Sequence, residues 1–539
     1  MRLPRPLLVC AAAALFFLAA PLAVSAAQSA GSHVPPFVSP ELPPPVAREF
    51  RAAWVATVGN IDWPSKPGLS TWDQQQELLA ILNRAVVLHL NAIILQVRPG
   101  TDALYDSKLE PWSEYLTGRM GRPPEPAWDP LAFAVAQAHA RGLELHAWVN
   151  PYRARYAKPI SETAETHISR THPELVRKYG SFLWMDPGVP EVRRQAERVV
   201  LDIVRRYDID GVHVDDYFYP YKEKDSSGVT IDFPDSASYA RYRRAGGALA
   251  RDDWRRHNVD LLISELYREI KDVKPWVQFG ISPISGWRAN TPAGARTFDA
   301  YNEIYADTRK WLAEGWCDYF VPQLYSAIES PTPYPAMLEW WVQQNTKQRH
   351  LYAGNGLHRV GTHNLVGASG DRALGWRADE ILRQVQITRD TPGAQGNVFF
   401  SMKGLMQDAD SIDEHLAVPY AAPALVPASP WLHKTAPARP LIALEHDPAT
   451  GEARVTLRPA EGSKPWLWVV QTRTDGVWST EVLPGGERAH RLAVGGDPEA
   501  VYVSAVDRTG NESPPAVAQA RRSEKVVAPP ASVRHDMRR

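Results

Sequence analysis

Between residues 51 and 401 the chain alternates two kinds of stretch. Short apolar runs rich in β-branched and aromatic residues are separated by longer segments whose apolar positions recur with helical period. The short runs are "RAAWVATV" (51–58), "AIILQVR" (92–98), "LELHAWVN" (143–150), "IDGVHVD" (209–215), "VQFGISP" (277–283), "DYFVPQL" (318–324), "HLYAG" (350–354) and "NVFFS" (397–401). Segments such as "WDQQQELLAILNRAVVLH", "DPLAFAVAQAHARG" and "VPEVRRQAERVVLDIVRRYD" precede the second, third and fourth of them. Strands alternating with helices predict βα units around a parallel sheet, and eight of them predict an α/β fold closed as a (β/α)8 TIM barrel. An open doubly wound sheet would call for a Gly-rich phosphate loop after an early strand, and none occurs. Beyond the prolines from Pro419 to Pro440 the period changes. "LIALEH", "ARVTLR", "WLWVVQT", "VWSTEVL", "HRLAV" and "AVYVSAVD" alternate at period two with turn signals between them, predicting a small all-β sandwich.

A chain of 539 residues exceeds what one core usually serves, which agrees with a large domain followed by a small one. The predicted organisation is a signal peptide at 1–27, a Pro-rich linker at 28–47, the barrel at 48–418, a second Pro-rich linker at 419–440, the sandwich at 441–520 and a basic, disordered tail at 521–539. The N-terminus has Arg2 and Arg5, an apolar run from Leu7 to about Val24 and small residues at 25–27, the order of a secretory signal. Pro21 interrupts the run and small residues follow it, which disfavours a stable membrane anchor, so the protein is expected in the periplasm or cell envelope of a bacterium, as a monomer. Cleavage would remove Cys10 and leave Cys317 without an intramolecular disulfide partner. The formal charge of −1 becomes −3 when Arg2 and Arg5 are lost, which gives no reason to expect nucleic acid as a partner. "VYVSAVDRTGNESPP" resembles the last strand and exit turn of fibronectin type III modules, over some 80 residues of sandwich.

In such barrels chemistry is placed at the C-terminal ends of the strands. The second strand ends with Arg98 and Asp102, and the third offers His146, Trp148, Asn150, Tyr152 and Arg153. The fourth offers His213, Asp215, Asp216 and Tyr217, and later strands offer Trp287, Gln323, Tyr325 and Asn355. Alternation puts His146, Trp148 and Asn150 on one face of their strand, and His213 and Asp215 on one face of theirs. Amides beside Trp54, Trp63, Trp148, Tyr217, Tyr219, Trp287 and Tyr325 suit a sugar, whose hydroxyls need hydrogen bonds and whose ring faces stack on aromatics. Arg98 and Arg153 offer charge for an anionic substituent, or alternatively an ion-pair network with Asp102. His146 and His213 are either inner-layer histidines or substrate contacts. The spacing lacks H-x-H or H-E-x-x-H, so neither a metal nor another cofactor is expected. Asp215 and Asp216 raise each other's proton affinity, so one carboxyl can stay protonated near neutrality while the other stays ionised, the asymmetry that glycosidic cleavage requires.

Eight ordered blocks carry a wider resemblance: "REFRAAWVATVGNIDWPS", "NAIILQVRPGTDALYDS", "HAWVNPYR", "DGVHVDDYFYPY", "WRRHNVDLLISELYREIK", "FGISPISGWR", "WCDYFVPQLY" and "PASPWL". Over about 48–433 the chain resembles the glycosyl hydrolase-like ten family of secreted bacterial proteins. The resemblance implies hydrolysis of peptidoglycan glycan strands stripped of their peptides. "GVHVD" is also similar to a strand of α-amylase-like barrels, but their glutamate acid on the fifth strand has no counterpart in "VQFGISPISGWR". "VDDY" is similar to the paired acids of retaining hexosaminidases, where one carboxylate positions the substrate's 2-acetamido group and its neighbour protonates the leaving oxygen. That similarity implies Asp216 as acid/base and Asp215 as polarising carboxylate, helped by Tyr325 and Asn150. Neighbours on a strand cannot point the same way, so the strand is expected to end at the two acids, with Tyr217, Phe218, Tyr219 and Tyr221 walling the groove. Two other readings stay open at this point: a carbohydrate-binding scaffold with an inactive barrel, and a metal-dependent deacetylase using His146, His213 and Asp215.

Overall fold

Every residue of β1 (Phe50–Val55) is buried, because this strand packs on helices outside and on facing strands inside. The same holds for β2 (Ala92–Arg98), β3 (Glu144–Val149), β4 (Gly211–Val214), β5 (Gln278–Ile281) and β8 (Gly396–Phe399). In the computed structural model, which describes residues 42–361, 365–366, 372–373, 375–447, 452–492 and 498–519, the strands pair in parallel. Strand β6 runs as Tyr319–Phe320 and then Gln323–Leu324, and β7 as His350–Leu351 and then Ala353–Asn355. Pro322, with no N–H to give, lies at the break in β6. The lower half of β6 pairs with β5 (Gly280↔Tyr319) and β7 (His350↔Tyr319), its upper half pairs with β7 (Gln323↔Gly354), and β7 pairs with β8 (Ala353↔Asn397). With β8 on β1 (Phe50↔Gly396), the ring closes as an eight-stranded barrel.

One principal helix fills each connection: α1 (Thr71–Val87), α2 (Pro130–His139), α3 (Pro190–Arg206), α4 (Arg251–Val273), α5 (Thr308–Glu314), α6 (Tyr334–Gln344) and α7 (Ala378–Asp390). Their starts follow from local chemistry. Asp129 accepts from the amides of Leu131 and Ala132 with Pro130 at the first turn, and Ser70 caps α1 through the amide of Asp73.

Alternation sorts the core into two layers. Phe50, Ala52, Trp54, Ile94, Trp148, Tyr319, Tyr352 and Val398 fill the barrel interior, whereas Ala53, Val55, Ile93, Leu95, Val212 and Val214 face the helices. Two glycines make the interior possible: a Cβ at Gly211 would run into the His146 ring and one at Gly280 into the Tyr319 ring.

The segment from 419 to 440, read as an extended spacer, is extended but bonded to the barrel floor. Leu425 exchanges backbone bonds with Ala47 and Glu49, and Val426 joins the interior cluster. Ser429 Oγ lies 3.1 Å from His350 Nε2, and Trp431 donates to Asp318 Oδ1 at 2.9 Å. The prolines therefore serve a path along the floor, where backbone groups lacking neighbours find partners on the strand starts. A cavity of about 510 Å³ on this floor is lined by Arg48, Arg51 and Arg389, all three already bonded to Glu512 or Glu49.

Past the floor, β9 (Leu441–Asp447), β10 (Glu452–Arg458) and β13 (Ala489–Arg491) form one antiparallel sheet. Strands β12 (Val477–Pro484), β11 (Leu467–Thr474), β14 (Ala500–Val506) and β15 (Ala516–Gln519) form a second, with Val455, Leu457, Trp468, Val470, Val501 and Val503 buried together. This sandwich docks under β3 and β4. Arg508 donates to both carboxylate oxygens of Asp208 at 3.0 Å and to Asp210 at 2.7 Å, and its guanidinium lies 4.8 Å from the Trp466 ring centre. Asp210 is buried, and Arg508 and His139 together hold its carboxyl below the usual range against the opposing effect of burial. The segment predicted as a signal peptide, with Cys10, most of the first Pro-rich linker and the basic tail lie outside the described residues. Among the described residues no helix is long and apolar enough to cross a membrane.

Candidate active site

Strand β4 ends at Val214, and Asp215 and Asp216 follow as the backbone leaves the ladder. Neighbours on a continuing strand point to opposite faces, so the two acids converge only because the strand stops there. Asp215 accepts from Trp148 Nε1 at 3.0 Å, from Asn150 Nδ2 at 3.1 and 3.2 Å and from the Tyr217 amide at 3.3 Å. Asp216 is bonded to the Tyr221 hydroxyl and accepts from Gln323 Nε2 at 3.1 Å. Trp148 and Asn150 thus meet Asp215, and Gln323 meets Asp216.

Both carboxyls are raised, chiefly by burial. Asp215 moves from 3.8 to about 6, with Arg153 pulling it down and Asp216 pushing it up. Asp216 also rises, held back by its bonds to Tyr221 and Gln323. The partner sets differ in kind. Trp148 Nε1, Asn150 Nδ2 and a backbone amide can only donate, so they favour an ionised Asp215. A tyrosine hydroxyl both gives and receives, so Asp216 keeps its Tyr221 contact whether or not it carries a proton.

Arg153 follows on the strand Arg153–Arg155. Its amide donates to Asn150 Oδ1 and its Nε to the Pro99 carbonyl, both at 2.9 Å. Its guanidinium lies 4.6 Å from the Tyr217 ring centre. Tyr325 stacks on Phe400 at 5.7 Å, half-buried beside the acids, and the nearby charge of Asp216 adds to the effect of burial in raising its hydroxyl.

Other sequence candidates lie elsewhere. Arg98 is fully buried in an ion pair with Glu110 and also donates to the Asn150 carbonyl, so its charge is committed to the rim scaffold. Asp102 accepts from the Gly100 amide and Ser113, beside Glu110 and Glu114, and burial lifts it to about 6. His146 and His213 sit inside the barrel on one directed chain. Trp54 Nε1 donates to His213 Nε2 at 3.0 Å, His213 Nδ1 meets Tyr319 Oη at 3.1 Å, Tyr319 Oη meets His146 Nδ1 at 2.8 Å, and His146 Nε2 meets Glu144 at 3.0 Å. Both nitrogens of each ring are occupied, which takes these histidines away from substrate and removes the ligands of the metal-dependent alternative. Among the described residues no cluster of three or more His, Cys, Asp or Glu is placed to hold a metal ion.

Tyr152 points outward and is fully buried, and Asn355 donates outward to Tyr334 and Gln384 between β7 and the helices. Trp287 stacks on Trp340 and donates to Asp307 in the helical layer, and Trp63 is buried, donating to the Gln74 carbonyl. Phe218 packs on Trp311 and Tyr219 on Phe233 and Tyr305, so of the four aromatics after the acids only Tyr217 and Tyr221 flank them. Position at a strand end gives height in the barrel but not the direction of a side chain that has left the ladder.

Two residues were missed. Tyr156 carries its ring 5.7 Å from the Arg153 guanidinium. His358, after β7, gives Nδ1–H to the Phe400 carbonyl at 3.1 Å and lies edge-on to Tyr325, leaving Nε2 an acceptor with no partner among the described residues. Its only sequence signal is its place in "AGNGLHR", just past a strand end.

A family model described as Glycosyl hydrolase-like 10 matches residues 49–368. Glycosyl hydrolase YngK of Bacillus subtilis (strain 168) is 37% identical over 487 residues, 86% of this chain and 92% of its own. Glycosyl hydrolase DigH of Escherichia coli (strain K12) is 35% identical over 378 residues, 66% of this chain and 83% of its own. Among solved structures, the glycoside hydrolase domain of PgaB (BpsB) from Bordetella bronchiseptica aligns with a TM-score of 0.46 at 13% identity, over 69% of this chain and 99% of that one.

Proposed function

The chain belongs to the glycosyl hydrolase-like 10 family, and from that premise we propose that it is an exported glycoside hydrolase acting on peptide-free peptidoglycan glycan strands built of N-acetylglucosamine and N-acetylmuramic acid. The observation that carries the reading is the unequal bonding of the two acids: donor-only partners around Asp215, and a partner for Asp216 that gives and receives.

In this mechanism Asp216 protonates the glycosidic oxygen as the bond to the anomeric carbon breaks. The 2-acetamido oxygen closes onto that carbon, and Asp215 polarises the amide N–H. Water then opens the cyclic intermediate, giving a proton back to Asp216 and retaining configuration. Asn150 and Trp148 fix the anion, and Tyr325 lines the sugar's side of the mouth. The C-terminal sandwich, three strands facing four, is read as a fibronectin type III-like module.

The test is to incubate the mature protein with naked glycan strands, with peptide-bearing sacculi and with chitin oligomers, and to count new reducing ends. Release from naked strands above the other two is expected. Binding to the strands without release would instead make the barrel a glycan-binding scaffold.

A further inference from the structure

Arg153 is 2% exposed, yet no carboxylate among the described residues lies within ion-pair distance of it. The contrast with its neighbours is sharp: Arg98 is paired with Glu110, and Arg155 with Glu114. Nε of Arg153 is spent on the Pro99 carbonyl, and the rings of Tyr217 and Tyr156 lie 4.6 and 5.7 Å from its guanidinium carbon. The two terminal nitrogens have no hydrogen-bond partner among the described residues, and no carboxylate there, Asp215 and Asp216 included, comes within ion-pair distance. A nearly buried guanidinium is thus oriented by its ring contacts and one carbonyl with its end-on pair of N–H groups open beside the two acids. Donors so enclosed call for oxygen atoms supplied by whatever binds, and the planar fork matches a carboxylate.

We propose that Arg153 is the specificity-determining residue of the groove, receiving a carboxylate carried on the sugar ring of the substrate, so that the site takes a carboxylated amino-sugar glycan in preference to a neutral one. This rests on the glycosidase reading above and adds the substituent the site selects.

The probes are peptide-free glycan strands and the same strands with their lactyl carboxylates coupled to methylamine. The wild-type protein is expected to show kcat/KM about 10- to 100-fold higher on the carboxylate form, the range of a charge-assisted bidentate contact. Arg153→Gln is expected to bring that ratio to within about threefold of unity, and Arg153→Lys, which keeps the charge without the fork, to an intermediate value. Should Arg153→Gln not fold, as read by its thermal midpoint, the lysine variant carries the comparison. An unchanged ratio in a folded variant, or an equal fall on both strands, overturns the proposal. Binding of both strands to Asp216→Asn, followed by tryptophan fluorescence, reads the same preference without turnover. Full activity of Asp215→Asn and Asp216→Asn would therefore sink the catalytic reading and leave this one standing.

Discussion

Asp215 and Asp216 share a peptide bond but no side-chain hydrogen-bond partner: the first is held by Trp148 and Asn150 of the third strand and the loop after it, the second by Tyr221 and Gln323. Replacing either with asparagine keeps size and removes charge. Each variant is expected to lose about 10²- to 10⁴-fold in kcat on naked glycan strands, with a thermal midpoint close to wild type. Wild-type rates in both would remove the acids from the mechanism.

The two acids also fix a pH window. Burial raises Asp215 from 3.8 to about 6, so between those values the folded protein holds more proton than the unfolded chain. The stability this group contributes is therefore complete below about pH 4 and lost as pH rises through 6. The thermal midpoint of Asp215→Asn should fall less steeply across that window than that of wild type. In kcat/KM the same ionisation appears as an acid limb near pH 6.

Tyr221→Phe removes the partner that can both donate and accept a hydrogen bond. We expect about a tenfold loss in kcat with little change in KM, and a shifted alkaline limb as Asp216 loses a bond to its ionised form. A pH profile superposable on wild type would show that Tyr221 only walls the groove.

The interior chain predicts a stability effect distinct from catalysis. Tyr319→Phe deletes the hydroxyl that joins His213 to His146 and leaves two buried ring nitrogens without partners. A loss of about 2 kcal/mol is expected in denaturant unfolding, the usual cost of an orphaned buried polar group. In the wild-type protein chelator should leave activity unchanged, because the nitrogens of both histidines are used within this chain.

At the floor, Arg508→Ala leaves Asp210 buried without its arginine, held by His139 and the Leu145 amide. The expected cost is about 3 kcal/mol, at the low end for breaking a buried pair. Asp210 is drawn below its ordinary value, so its contribution is present above about pH 4 and lost as pH falls, and the deficit of the variant should shrink in acid.

The strands and the acids were legible because both are local signals: apolar runs between helical periods, and a doubled carboxylate where one such run stops. Alternation also placed Trp148 and Asn150 with Asp215, since they leave adjacent strands at the same height. What sequence could not supply was the partner that commits a side chain. Arg98 and Arg153 look alike at strand ends, but Glu110 returns from a loop to pair with the first, and no carboxylate among the described residues pairs with the second. His146 and His213 resemble groove residues until Tyr319 from a distant strand joins them. Tyr219 and Phe218 turn inward because Tyr305 and Trp311 offer them apolar contact, a choice made by helices far along the chain.

The docking of the sandwich through Arg508, Trp466 and the floor segment gives the molecule a front and a back. The sandwich meets the strand starts, whereas Asp215 and Asp216 open at the strand ends, so the two faces are a barrel's height apart.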